Sequence, residues 1–204
     1  GTFRKPSVRF PRAEQCELTD DGAYLATRRS GEVLVGATTV PFDAAQIRVL
    51  LGDQRECLWI GTSPHIGRKL VLAIDNGDVL MLDIEQPDTL RKIGFCEKLA
   101  EASDIALGHT GLMLAWTTPD GVWLSNLDRQ EPGKQISTVR GPNKLVFGPG
   151  DEFLAVACGA TDIVFVDVKR TQAHSKVTVS NQYPVSSLIY SPSRKLFFAG
   201  TLDG

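Results

Sequence analysis

One repeat period constrains this chain more than any other feature. Four apolar segments end on an alanine: "LVLA" at Ala73, "LMLA" at Ala115, "LAVA" at Ala157 and "LFFA" at Ala199. Each of these alanines follows the previous one by 42 residues, and a weaker copy, "AYLA", ends at Ala26. A fixed period of this size marks a chain built from copies of one supersecondary unit. Three to four residues after each alanine comes a turn: "SGE" at 30–32, "NGD" at 76–78, "PDG" at 119–121, "ATD" at 160–162 and "LDG" at 202–204. Gly, Asn and Asp supply the left-handed conformations that tight hairpin turns need.

Strands fill the space between the turns. A short first strand precedes each alanine segment: 16–18, 58–61, 105–108, 145–148 and 188–191. The alanine segments are the second strands, at 23–28, 70–75, 112–117, 153–158 and 195–200. Third strands start at Val33, Val79, Val122 and Ile163, and fourth strands of mixed polarity start at Ile47, Leu90, Lys134 and His174. Helical periodicity is nearly absent; only 42–51 and 97–103 have room for a turn of helix. The second and third strands are apolar at almost every position, so both of their faces must be covered. The fourth is polar, as an outer strand should be. Sheets of this kind must stack on copies of themselves, and a radial arrangement about an axis satisfies all of them. The alanines mark where neighbouring sheets approach, which predicts buried, equivalent environments for Ala73, Ala115, Ala157 and Ala199.

The expected fold is therefore all-β, one propeller domain or a portion of one spanning 1–204. Its units are 14–52, 53–96, 97–139, 140–182 and an incomplete 183–204. Four units are full, and the fifth has only its first two strands. The ring is either five-bladed and tightly closed or, the favoured expectation, a portion of a larger one of about six to eight blades, its open edge at 195–200 bare or paired with residues 5–10 or another chain.

The repeat resembles the WD40-type β-propeller family over nearly the whole chain. The resemblance rests on the Asp-Gly or equivalent turns between strands two and three. It rests also on the polar residue near the end of strand three: Asp83, Asn126 and Asp167. Leu82, Ser125 and Val166 stand where the family has Trp, and the family's Gly-His pair ahead of the first strand is missing, since His109 follows Gly108 after that strand. The resemblance implies a rigid scaffold that presents loops to protein partners.

Composition narrows the function. A net charge of −2 argues against nucleic acid or a membrane surface as a partner drawn by global charge. Apolar runs stay far below the length of a membrane span. Cys16, Cys57, Cys96 and Cys158 form no C-x-x-C pair, so they read as small buried hydrophobes rather than zinc ligands. Without a glycosylation sequon, a cytoplasmic location is expected. The histidines, His65, His109 and His174, read as surface residues. "DNGD" at 75–78 clusters oxygens that calcium would accept, but a tight hairpin also wants Asn-Gly. No nucleophile, phosphate-loop or metalloprotease motif is present. No metal and no cofactor are expected, and the chain is read as a non-catalytic interaction scaffold. The alternative is a propeller-type hydrolase or lyase with its site at the channel mouth, where the first strands supply Glu17 and Asp104.

Loops from strand four to strand one, and from strand two to strand three, emerge on one face of such a ring. They carry Arg28, Arg29, Asp53, Arg55, Asp75, Asp78, Asp120, Arg140 and Asn143, with Trp116 at the base of one of them. Arginines with an aromatic and mixed charge suit a protein-binding rim. The expected partner contacts are Arg28, Arg29, Arg55, Asp75, Trp116, Asp120, Arg140 and Asn143. The partner is a protein, and the remaining blades or another domain of a larger polypeptide are further candidates. The opposite face, "TDDG", "SPHIGRK" and "PGDE", is expected to lack aromatics.

Overall fold

The computed structural model describes residues 13–39, 46–49, 51, 55–159, 161–179 and 183–201. Each unit is an antiparallel meander in which sequence neighbours pair. The first holds β1 (Gln15–Leu18), β2 (Tyr24–Arg29), β3 (Glu32–Ala37) and β4 (Gln46–Val49). The second holds β5 (Cys57–Gly61), β6 (Lys69–Ile74), β7 (Asp78–Asp83) and β8 (Gln86–Phe95). The third holds β9 (Asp104–Leu107), β10 (Met113–Thr118), β11 (Gly121–Asn126) and β12 (Lys134–Ser137). The fourth holds β13 (Pro142–Phe147), β14 (Phe153–Cys158), β15 (Asp162–Asp167) and β16 (Gln172–Thr178). A two-stranded sheet, β17 (Val185–Ser191) and β18 (Leu196–Thr201), follows. The expected second strands agree with β2, β6, β10, β14 and β18 to within one residue at each end. Residues 46–49 are strand, and Leu99–Glu101 form one 3-10 turn. The run 5–10, the turn at 202–204 and Asp53 lie outside the described residues.

The core sits between sheets rather than inside any one of them. Alternation along a strand sends successive side chains to opposite faces, and each face meets a different neighbour. In β6, Leu70, Leu72 and Ile74 pack with Val33 and Val35 of the first sheet, whereas Val71 and Ala73 pack with Leu114 and Trp116 of the third. Ala115 joins Leu145, Phe147 and Leu154 of the fourth sheet. Ala155 and Ala157 meet Val185 and Leu188 of the two-stranded sheet. Four apolar layers thus cement five successive sheets, and each fully buried aliphatic side chain in them contributes about 1.5–3 kcal/mol. First strands lie next to first strands from one sheet to the next, β1 by β5, β9 by β13 and β13 by β17, so they form the inner wall.

Register corrects the reading of the alanines. Ala73, Ala115 and Ala157 are fully buried and all face the following sheet, but they are not at one level. Lys69, Met113 and Phe153 each pair with the polar residue ending strand three, Asp83, Asn126 and Asp167. Counting from there, Thr117, not Ala115, shares the level of Ala73 and Ala157. Ala199 is exposed, contrary to expectation. Val185 pairs with Thr201 as Pro142 pairs with Cys158, which puts Gly200 at the level of Ala157 and turns Ala199 the other way. The other face of this last sheet, with Ile189, Leu196 and Phe198, is open.

Candidate functional site

The inner ends of the sheets are joined by side chains that act as ladder rungs between neighbouring first strands. The Gln15 amide donates from Nε2 to Ile60 O (2.6 Å) and accepts from Ile60 N (3.0 Å) at Oε1. One Asp104 oxygen accepts from Leu145 N at 2.9 Å. Both residues open a first strand whose following positions are largely apolar. At that end of the ring, where the fourth-to-first connections lie, the four sheets leave a cleft of about 390 Å³. Arg28 of the first sheet, Trp59 of the second, Asp104 of the third and Lys144 of the fourth line it, and the 3-10 turn at Leu99 closes one side.

Charges in the cleft are matched internally. Arg28 Nη1 lies 2.7 Å from Glu14 Oε2 and donates to Cys57 O at 3.4 Å, while its buried Nε has no partner. Lys144 Nζ is 3.4 Å from Asp104 Oδ1. Burial pushes the Asp104 carboxyl up, and the Leu145 amide and Lys144 oppose that only in part. Burial likewise raises Glu17, against a hydrogen bond from Gln15. The nearby Cys57 thiol is pushed up to about 12 by burial, which leaves it un-ionised and a poor nucleophile. The one hydroxyl in the lining, Ser103 Oγ, lies 2.9 Å from Thr117 Oγ1 and donates to Pro142 O at 3.2 Å.

The loop-face residues fall into three groups. Arg29, Arg55, Asp120 and Arg140 are exposed, with Arg55 3.9 Å from Asp78 and Asp120 held by Lys98 at 2.6 Å. Asp75 and Asn143 are half-buried; Asp75 Oδ1 accepts from Glu56 N at 3.2 Å. Trp116 is the correction. It is fully buried in the layer between the second and third sheets, stacked on Trp123 at 6.2 Å, and touches no outer surface. A tryptophan that closes a strand sits on whichever face the alternation assigns, and here that face is the core. Its stacking partner carries the exposed aromatic surface instead: Lys98 Nζ lies 5.2 Å above the Trp123 ring.

The oxygens of the 75–78 turn are engaged within the protein. Asn76 Oδ1 accepts from Asp78 N at 3.0 Å, and Asp78 forms ion pairs with Lys92 and Arg55. Among the described residues no cluster of three or more His, Cys, Asp or Glu is placed to hold a metal ion. Cys57, Cys96 and Cys158 are buried as expected, but Cys16, on β1, is exposed. His65 is exposed. His109 is not a plain surface residue: its backbone N–H donates to Asp151 Oδ1 (2.7 Å), its Nδ1 lies 3.2 Å from the same oxygen, and its ring meets Tyr190 edge-on at 5.7 Å. The opposite face has aromatics after all, since Arg68, paired with Asp21 (2.7 Å) and Glu85 (2.5 Å), lies over the Tyr24 ring. Sequence reasoning did not single out Gln15 or Lys144. The available signal was a polar residue at the inner end of a first strand.

Four-stranded meanders stacked face to face, with their first strands inside, leave one description. The fold is a β-propeller. Solved chains share this fold. One in the crystal structure of the mitotic checkpoint complex superposes with a TM-score of 0.60 at 16% identity, over 93% of this chain and 72% of that one. Hydrazine synthase of Kuenenia stuttgartiensis superposes with a TM-score of 0.69 at 16% identity, over 98% of this chain and 58% of that one. No protein-family model and no curated protein matches the propeller. Among its described residues no helix is long and apolar enough to cross a membrane.

Proposed function

We propose that this propeller is a non-catalytic, WD40-like interaction scaffold that binds a protein segment on the face of its fourth-to-first loops. The observation that carries the reading is the cleft to which four blades each contribute, with Arg29, Arg55 and Arg140 exposed on the same face. Concave, largely preformed sites with a few convergent polar groups are the usual places of capture, and exposed arginines are favoured contacts at protein interfaces. The mitotic checkpoint complex, whose structure holds a similar chain, is an assembly, which is consistent with this reading.

The experiment is charge reversal at Arg29, Arg55 and Arg140 together. Arg28 is left intact because its loss would strand Glu14. Partners recovered from the native source with the wild-type chain should be lost by the triple variant, with the melting temperature unchanged within a few degrees. Retention of the partner by that variant, or its loss on reversing Asp20, Asp21, Arg68 and Lys69 instead, would overturn the assignment of the face.

A further inference from the structure

A second cavity among the described residues is not on that face. It lies on the opposite one, between blades three and four, with a volume of about 500 Å³. Its floor is apolar: Met113, Leu124 and Val168, with Leu112 at the mouth and 44% exposed. Its rim is cationic, with Arg129, Lys134 and Lys169.

The rim is built, not incidental. Asn126 Oδ1 accepts from Asp128 N (3.0 Å) and Arg129 N (3.2 Å), which folds the turn after β11. Ser125 Oγ donates to Glu131 O at 2.9 Å and pins the far side of that turn. Asp167 Oδ1 plays the same part after β15, accepting from Lys169 N (2.9 Å) and Arg170 N (2.8 Å). The corresponding turn of blade two, where Asp83 Oδ1 accepts from Glu85 N, presents an acid instead. The turns that flank this groove thus bring the cations Arg129 and Lys169 to its rim, beside Lys134 at the start of β12 and the acid Glu131.

Little of that charge is spent inside the protein. Arg129 is 3.7 Å from Glu131 and Lys169 is 3.1 Å from Glu152, all four side chains being more than half exposed; such pairs are weak and easily exchanged. Lys134 has no carboxylate partner among the described residues. The other acid in the lining, Asp151, is buried, its oxygens taken by His109 and Thr110.

We infer that this groove docks an acidic peptide segment that places one aliphatic side chain against Leu112 and Met113 and its carboxylates against Arg129, Lys134 and Lys169. The inference is independent of the reading of the other face. An apolar anchor gives the affinity and the cationic rim selects against basic sequences.

The test uses the intact chain and fluorescein-labelled dodecapeptides with a central leucine flanked by Asp and Glu, read by fluorescence anisotropy. Saturable binding with a Kd of about 10–100 µM is expected, weakening about fivefold between 50 and 300 mM salt. Lys134→Glu with Lys169→Glu should weaken it about tenfold, as should Leu112→Asp, each with an unchanged melting temperature. Arg29→Glu with Arg140→Glu should bind as wild type. Equal binding of a Lys/Arg-flanked peptide, indifference to the double reversal, absence of saturation at about 1 mM peptide, or full displacement by free succinate would each overturn it.

Discussion

Asp151 shows what one side chain does in a structure of stacked sheets. It sits in the turn between β13 and β14 with a left-handed φ of 59°, a conformation Asp tolerates better than most residues. From there its carboxylate reaches blade three and accepts from His109 N (2.7 Å), Thr110 N (3.0 Å) and Thr110 Oγ1 (2.7 Å). Burial works against ionisation, but the hydrogen bonds from Thr110 and His109 outweigh it and hold the carboxyl below its ordinary value of 3.8. A carboxyl lowered in this way stabilises the fold fully above its unfolded pKa, and the contribution is lost as pH falls through the lower, folded one. Asp151→Asn keeps the backbone preference and removes the charge. It should cost about 1.5–3 kcal/mol near neutral pH and flatten the loss of stability on acidification below pH 4. Urea titrations from pH 3 to pH 7 measure both; an unaltered acid limb in the variant would show that the clip is inert.

Among elements, the second strands carry the closest packing. Ala157 of β14 is fully buried against Val185 and Leu188. Ala157→Leu inserts three carbons into that layer and should cost about 1–3 kcal/mol by overpacking, visible as a lowered urea midpoint with an unchanged slope; a midpoint equal to wild type would mean the layer has slack. Strand existence, order and polarity were legible, because alternation, apolar runs and Gly/Asp turns are local signals. The exact phase was not. Turn lengths and bulges differ from blade to blade, as between Pro142 and Lys144, so a constant spacing of 42 hides a two-residue shift at Ala115 and a one-residue shift at Ala199. A one-residue shift moves a side chain to the other face. That is why Ala199 was misplaced; Trp116 was misread for want of knowing which face was core. The candidate cleft was legible only as a face, since Gln15, Asp104 and Lys144 are far apart in sequence and meet through the stacking of blades.

Across the whole molecule, protection should follow position in the stack. β6, β10 and β14 are paired on both sides and covered on both faces, whereas β18 pairs only with β17 among the described residues, and Leu196 and Phe198 are 52% and 42% exposed. Native-state hydrogen exchange should find β18 amides exchanging at least about 100-fold faster than those of β14. Equal protection would mean that something covers this edge in solution.

The layered core has a consequence for how the chain emerges from a ribosome. No blade buries both its faces by itself. The forward face of each waits for residues encoded about one unit later, and at about 5–20 residues per second a unit of 42 residues takes about 2–8 s to appear. During that interval Val71 and Ala73, then Ala115, then Ala155 and Ala157, are bare in turn. Along the second strands these waiting side chains are smaller than Leu70, Leu72, Leu114 and Leu154 on the faces behind them, so there the bare surface offers less apolar area to a stray neighbour.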